Sequence, residues 1–251
     1  MHISLRKLRL GQGIRGCYLA ALLAAIALLS IVGLALLHAQ RATESVGAAV
    51  AAQMAAPVLL LDPGHGGEDG GAVGVDGIVE KTINLPVAHK LESFARALGF
   101  RTEMTHREDS AIYDASAQTL REKKASDIHN RFAMMEALGK NTLFVSIHQN
   151  KFPSAASHGT QVFYSKNHPG SKILAETLQA QVVAQLQPGN TRLAKPSGTE
   201  IYLLWNAQIP AVLVECGFLS NARDAALLQQ DAYQNQMALA IACGLMEYCG
   251  A

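Results

Sequence analysis

Cysteine is scarce in this chain: four among 251 residues, with Cys17 in an apolar N-terminal segment and Cys216, Cys243 and Cys249 beyond it. An odd remainder with no CxxC pair argues against a disulfide framework and a zinc-finger spacing. Cys243 and Cys249 do not share a helix face and read as apolar fillers. Charge of one sign is missing too. Lys and Arg number 21 against 20 for Asp and Glu, a formal net charge of +1, which leaves no electrostatic footprint for nucleic acid. No Gly-Lys-Ser/Thr occurs, and no GxGxxG leads into a helix, so phosphate-loop chemistry drops out. Internal repeats and low-complexity blocks are absent as well. A disordered chain is excluded by 49% hydrophobic against 16% charged content, a balance that supports a packed core.

One long apolar run is present. Arg6, Lys7, Arg9 and Arg15 precede Tyr18 to Leu37, twenty consecutive apolar or small residues. At about 1.5 Å per helical residue such a run spans a bilayer core of about 30 Å. The basic flank stays cytoplasmic by the positive-inside rule, so the rest of the chain is expected outside the cytoplasm. A cleaved signal peptide is the competing reading, but its apolar core is only about 7–15 residues, and Leu37-His38-Ala39 is a poor small-x-small cleavage site. The expected organisation is a cytoplasmic basic segment at 1–16, a transmembrane signal anchor at 17–38, an Ala-rich linker at 39–56 and one globular domain at 57–251.

Within that domain, short apolar runs at Val58 to Asp62, Thr102 to Thr105, Thr142 to Ile147, Gln161 to Tyr164 and Ala211 to Val214 read as buried strands. Helical stripes lie between them. Leu91, Phe94, Ala95 and Leu98 recur at i, i+3, i+4, i+7 and stop at Gly99. Ile128, Phe132, Met135 and Leu138 stop at Gly139. Leu174, Leu178 and Val182 form a third stripe closing at Pro188-Gly189, and a fourth helix is expected over Tyr233 to Tyr248. Strands alternating with helices predict an α/β three-layer sandwich with a mostly parallel mixed sheet. Such sheets bind ligands beyond the carboxyl ends of their strands.

Four segments there carry groups capable of chemistry. Asp62-Pro63-Gly64-His65-Gly66-Gly67 follows the first strand, and its glycines allow close approach to the backbone. His65 reads equally as a ligand or a structural imidazole. Val79-Glu80-Lys81 opens a helix, where the dipole stabilises a carboxylate by about 0.3–1 kcal/mol with no function needed. Ser146-Ile147-His148-Gln149-Asn150 places His148 at a strand exit, as ligand or hydrogen-bonded spectator. In Val214-Glu215-Cys216-Gly217-Phe218-Leu219-Ser220-Asn221 a carboxylate follows a buried strand, and burying it demands a cation, a proton or a catalytic task. Two histidines and one glutamate form a recurrent catalytic zinc set with an open fourth position for water, and a second glutamate can act as base. Spacing alone leaves open whether the four converge.

In these segments, in this order, the chain resembles the zinc-dependent N-acetylmuramoyl-L-alanine amidases of type 3, from about Val58 to Tyr248. The resemblance implies a zinc exopeptidase-like fold, zinc ligands at His65, Glu80 and His148, and Glu215 as the catalytic carboxylate. The implied reaction is hydrolysis of the amide between N-acetylmuramic acid and L-alanine in peptidoglycan. Within the family, Asn190-Thr191-Arg192-Leu193-Ala194-Lys195, Ile201-Tyr202-Leu203-Leu204 and the single anchor are most similar to germination-specific amidases of spore-forming bacteria. That implies a role in spore-cortex maturation through muramic δ-lactam formation, in the cell wall or the forespore intermembrane space. The inserted helix that plugs the site of division amidases has no room between His148 and Gln161, and wall-binding repeats are missing. Targeting would therefore rest on the anchor or on an activating partner protein.

Rival readings are a zinc peptidase on the same fold, a non-catalytic peptidoglycan-binding protein with a retired site, and a Cys216 nucleophile. Strand alternation turns Cys216 away from Glu215, against the last. Asp62, His106, His129, His158, His168 and Arg131 read as structural or surface residues, and Asn150 as a residue that shapes the site.

Overall fold

The computed structural model describes residue 18 and residues 22–24, 26–42 and 57–250. The basic segment expected at 1–16 and most of the linker lie outside the described residues. Two compact units result, Met1–Ala55 and Ala56–Ala251. In the first, α1 (Leu22–Ala42) is a helix long and apolar enough to cross a membrane, with a mean hydropathy of 2.5 and no burial. Its Leu28, Leu29, Ile31 and Leu34 are all exposed.

The second unit runs β1 (Val58–Pro63), α2 (Lys81–Ala97), β2 (Arg101–Met104), α3 (Leu120–Leu138), β3 (Thr142–Asn150), β4 (Gln161–Tyr164), α4 (Pro169–Gln185), β5 (Lys195–Pro196), α5 (Tyr202–Asn206), β6 (Ala211–Phe218), α6 (Ala222–Leu228) and α7 (Asp231–Gly250). One six-stranded sheet has the order β2-β1-β3-β6-β4-β5. Strands β2, β1, β3 and β6 are parallel, β4 runs antiparallel to β6, and β5 follows β4. This is the mixed, mostly parallel sheet that the strand and helix pattern predicts.

Continuous apolar runs suit strands covered on both faces. On one face Leu59, Leu61, Val145, Ile147, Val212, Val214 and Cys216 pack with α2, α4 and α7. On the other, Leu60, Phe144, Ala211 and Leu213 pack with α3 and α5 through Met135, Leu203 and Leu204, and with Ala207 and Ile209 of the loop after α5. Fully burying each of these large side chains contributes about 1.5–3 kcal/mol. The second face is covered less, and that is where a cleft remains.

Helix ends follow local chemistry. Gly99 and Gly139 take φ of +92° and +76° just beyond α2 and α3, where a side chain would be strained. Thr119 and Glu122 cap α3 reciprocally, a capping box that explains why the helix starts well before its apolar stripe. His168 accepts from the Gly170 amide at 3.1 Å and caps α4, a structural role.

Three expectations need correction. Strands β3 and β6 do not end at Ile147 and Val214 but continue to Asn150 and Phe218, because their pairing persists through His148 opposite Glu215 and, after a bulge, Asn150 opposite Phe218. His148 and Glu215 therefore stand inside strands, on the sheet. Cys249 is exposed, not an apolar filler. The short elements β5, α5 and α6 carry too little periodicity to be read locally.

Candidate metal centre

Strand β1 lies between β2 and β3, so the chain leaves β1 in one direction through α2 and returns to its other side through α3. That reversal opens a crevice at the carboxyl ends of β1 and β3. There Asp62, Ser146, His148 and Glu215 line a cleft of 530 Å³ together with His65, Glu80, Asn150, Lys151 and Tyr202. Alternation fixes the sidedness: Glu215 shares the face of Leu213, and Cys216 shares that of Val214.

Three donors converge. His65 Nε2 lies 3.1 Å from Glu80 Oε2, and His148 Nδ1 lies 2.9 Å from Glu80 Oε1. One ligand atom from each residue falls within 4.8 Å of the others, so the three could hold a metal ion. The two rings meet edge to face, 5.0 Å between centroids. Glu80 sits at the N-cap of α2 without capping it. Its carboxylate instead accepts from the Ala72 and Gln149 amides and from Asn84 Nδ2 at 2.9, 3.0 and 3.2 Å. Asn84 Oδ1 accepts in turn from Gln149 Nε2, so Glu80 is fixed from several sides. The helix-start explanation of Glu80 does not describe what its side chain does.

Glycine is required where the imidazoles come close. A Cβ at Gly64 would clash with the His148 ring, and one at Gly71 would lie 2.5–2.7 Å from His65 and Glu80. Gly71 also has φ of +73°. His65 itself is left-handed, with φ of +68°, an uncommon state for a non-glycine residue. Its carbonyl accepts from Arg131 Nη2 at 2.8 Å. Lys81 secures the same loop, donating to the Gly67 carbonyl at 2.6 Å and pairing with Asp109 at 2.7 Å.

Electrostatics fit a cation. Burial opposes charge on Glu80, but the two imidazoles override it and hold the carboxyl well below the usual range. Burial also pulls His65 down, yet Asp69 and Glu80 raise it to about 9. A carboxylate kept ionised between two imidazoles is the donor set a divalent ion takes, once the imidazole protons are released. Across from them burial pushes Glu215 up to about 7, and its Oε2 is shut from solvent with no hydrogen-bond partner among the described residues. An unpaired buried carboxylate oxygen facing a site of this kind has no structural task to explain it.

A family model described as N-acetylmuramoyl-L-alanine amidase matches residues 59–247. The chain belongs to that amidase family. The germination-specific N-acetylmuramoyl-L-alanine amidase of Bacillus subtilis is 32% identical over 191 residues, 76% of this chain and 79% of that protein. Among solved structures, the CwlD amidase of Clostridioides difficile in complex with the GerS lipoprotein is 36% identical, with a TM-score of 0.73 over 77% of this chain and 98% of that one. The AmiC2 amidase of Nostoc punctiforme is 27% identical, with a TM-score of 0.66 over 78% and 98%. In this amidase the segment between β3 and β4, residues 151–160, contains no helix.

The remaining expectations sort by contact. Arg131 and Asp62 form a buried pair at 2.6 Å. Asp62 also accepts from Ser146 and Thr105, and although burial alone would raise it, the Arg131 charge holds it at about 2. His106 is buried and lowered to about 4 by that burial and by Arg131. His129 stacks edge-on with Tyr202, and the His158 carbonyl accepts from Arg192. Cys216 is fully buried and raised to about 12 by burial, unsuited to act as a nucleophile. Asn221, at the end of the Glu215 segment, caps α6 through the Arg223 and Asp224 amides. Asp69, Asn84 and Gln149 were not singled out from sequence; the one available signal was that Asp69 lies four residues after His65.

Proposed function

We propose that this amidase hydrolyses the amide between the lactyl group of N-acetylmuramic acid and L-alanine in peptidoglycan, using zinc held by His65, Glu80 and His148, with Glu215 as the catalytic base. The observation that carries the reading is the meeting of two imidazoles and a carboxylate within 4.8 Å, with Glu215, whose Oε2 has no hydrogen-bond partner among the described residues, lining the same cleft. Two imidazole nitrogens with one carboxylate oxygen suit zinc, a borderline ion that takes both kinds of donor. When bound, zinc supplies a Lewis acid that polarises a carbonyl and acidifies water.

The side chains account for the rest of the chemistry. Glu80 and the two imidazoles are rigidly held, so little reorganisation accompanies binding. Glu215, raised toward neutrality by burial, takes a proton from the attacking water and returns it to the departing L-alanine amine. Tyr202 and Ile201 give the cleft an apolar wall and Lys151 a cationic one, suited to a substrate that joins a sugar to a peptide bearing carboxylates.

Location and biology follow from the same reading. Helix α1 anchors the chain in the membrane, and the amidase unit works outside the cytoplasm on the wall. The germination-specific relative supports a role in spore-cortex maturation. The solved CwlD amidase carries the GerS lipoprotein, and an accessory lipoprotein is the partner class assigned here.

The test is substitution with two readouts. Glu215→Ala keeps bound zinc and loses about 10²–10⁴-fold in release of L-alanine amino groups from purified peptidoglycan; His65→Ala loses both zinc and turnover. A Glu215→Ala enzyme as active as the parent overturns the assignment. Mass spectrometry of the products checks the bond cut, since only an amidase frees whole stem peptides and leaves intact sugar chains.

A further inference from the structure

The two imidazoles of the site are held differently. His148 Nδ1 faces Glu80, and no second carboxylate meets that ring among the described residues. His65 turns Nε2 toward Glu80 at 3.1 Å and Nδ1 toward Asp69 Oδ2 at 3.0 Å. Asp69 is held in turn: its Oδ1 accepts from Lys124 Nζ at 2.8 Å and from the Gly71 amide at 3.2 Å. Next to it Glu68 pairs with Lys123 at 2.9 Å. Two consecutive carboxylates of the glycine-rich loop are thus latched to two consecutive lysines of α3.

We propose that Asp69 is a positioning residue of the metal site: it keeps the His65 proton on Nδ1, leaving the Nε2 lone pair for the ion, while Lys124 holds the Asp69 carboxylate in place. The inference rests on the reading of His65 as a ligand. A neutral imidazole has one N–H and one lone pair; with Nε2 on the Glu80 side given to an ion, the one remaining proton sits on Nδ1 and needs an acceptor there. Asp69 supplies that acceptor on the side away from Glu80. His65 lies on the loop after β1 with a left-handed backbone at φ +68°, and its ring is held between two carboxylates, Glu80 and Asp69. A carboxylate behind a metal-bound imidazole also raises its basicity, and losing such a partner costs about 10–100-fold in metal affinity. Asp69 is half-buried on a loop, so substitution there leaves the core intact.

The experiment measures zinc affinity of the full chain in detergent by competition with a chelator, for the parent, Asp69→Ala, Asp69→Asn, Lys124→Met and His65→Ala. Circular dichroism checks the fold of each variant. Asp69→Ala is expected to weaken zinc about 10–100-fold, and Asp69→Asn to weaken it less. Lys124→Met weakens it by a few-fold at most, since the Lys124–Asp69 pair is partly exposed. Long-range ¹H–¹⁵N spectra of the zinc-loaded parent are expected to show the His65 Nδ1–H hydrogen-bonded and slow to exchange with water, a protection lost in Asp69→Ala. If Asp69→Ala does not fold, the Asn and Met variants carry the same two readouts. A folded Asp69→Ala protein that binds zinc as the parent does, or whose His65 Nδ1–H stays as protected as in the parent, overturns the positioning role alone. A His65→Ala protein with parental zinc affinity overturns the ligand reading and this inference with it.

Discussion

The Asp62–Arg131 pair offers the most direct measure of what holds the glycine-rich loop. Both side chains are almost wholly buried, 1% and 2% exposed. Arg131 also donates to the Pro63 and His65 carbonyls at 2.8 Å and to Asp127 at 2.6 Å. Replacing it with Met leaves a buried carboxylate without its cation and orphans two carbonyls. Breaking a buried pair from one side costs about 3–5 kcal/mol, a large part of a total of about 5–15 kcal/mol. The pH dependence tests the cause. Asp62 is held at about 2 against an ordinary 3.8; at about 1.36 kcal/mol per pH unit the difference contributes about 2 kcal/mol. A depressed carboxyl stabilises the fold above its unfolded value, so this contribution is complete above pH 4 and is lost as pH falls through 2. With Arg131 removed, burial dominates and raises Asp62, so its contribution changes sign: Arg131→Met gains relative to Asp62→Asn/Arg131→Met as pH falls. The assay is urea unfolding of the parent, Arg131→Met, Asp62→Asn and the double variant between pH 3 and 7, read as a double-mutant cycle. A coupling energy near zero at pH 7, or parallel pH profiles for parent and Asp62→Asn, would refute the reasoning.

Two other outcomes follow from the site. Gly71→Ala places a Cβ 2.5–2.7 Å from His65 and Glu80 at a left-handed position, and displacing those groups is expected to cost about 100-fold in turnover with weaker zinc binding; parental activity and zinc content would contradict the close approach. In chelator-treated protein, Glu215 is raised from 4.5 to about 7, so its charge destabilises the fold above pH 7 and the cost vanishes below 4.5. Glu215→Gln should therefore raise the melting temperature at pH 8 and leave it unchanged at pH 4, by scanning calorimetry; equal shifts at both pH values would exclude a titrating Glu215 as the cause.

Local pattern carried much of the architecture. Helical periodicity ending at Gly99 and Gly139, and apolar runs bounded by turn residues, are written within a few positions of one another, so the alternation of strands and helices and the layered fold class could be read without coordinates. The same holds for the segments around His65, Glu80, His148 and Glu215, because each is a contiguous motif. Their sidedness was partly legible too: period-two alternation separates Glu215 from Cys216.

Only the tertiary structure decided what those groups meet. Asp62 and Arg131 are 69 residues apart, and His148 and Glu80 68 apart; no local period records such partners, because the contact is made by the return of the chain through α3 and the pairing of β3 with β6. The ends of β3 and β6, the reversed direction of β4 and the left-handed state of His65 likewise depend on neighbours supplied by distant strands. The chain itself specified one apolar N-terminal run and an α/β unit with four reactive segments. Packing across the β1–β3 crevice brought those segments into one cleft, since a buried carboxylate and two imidazoles are stable there only when each has the others as partners.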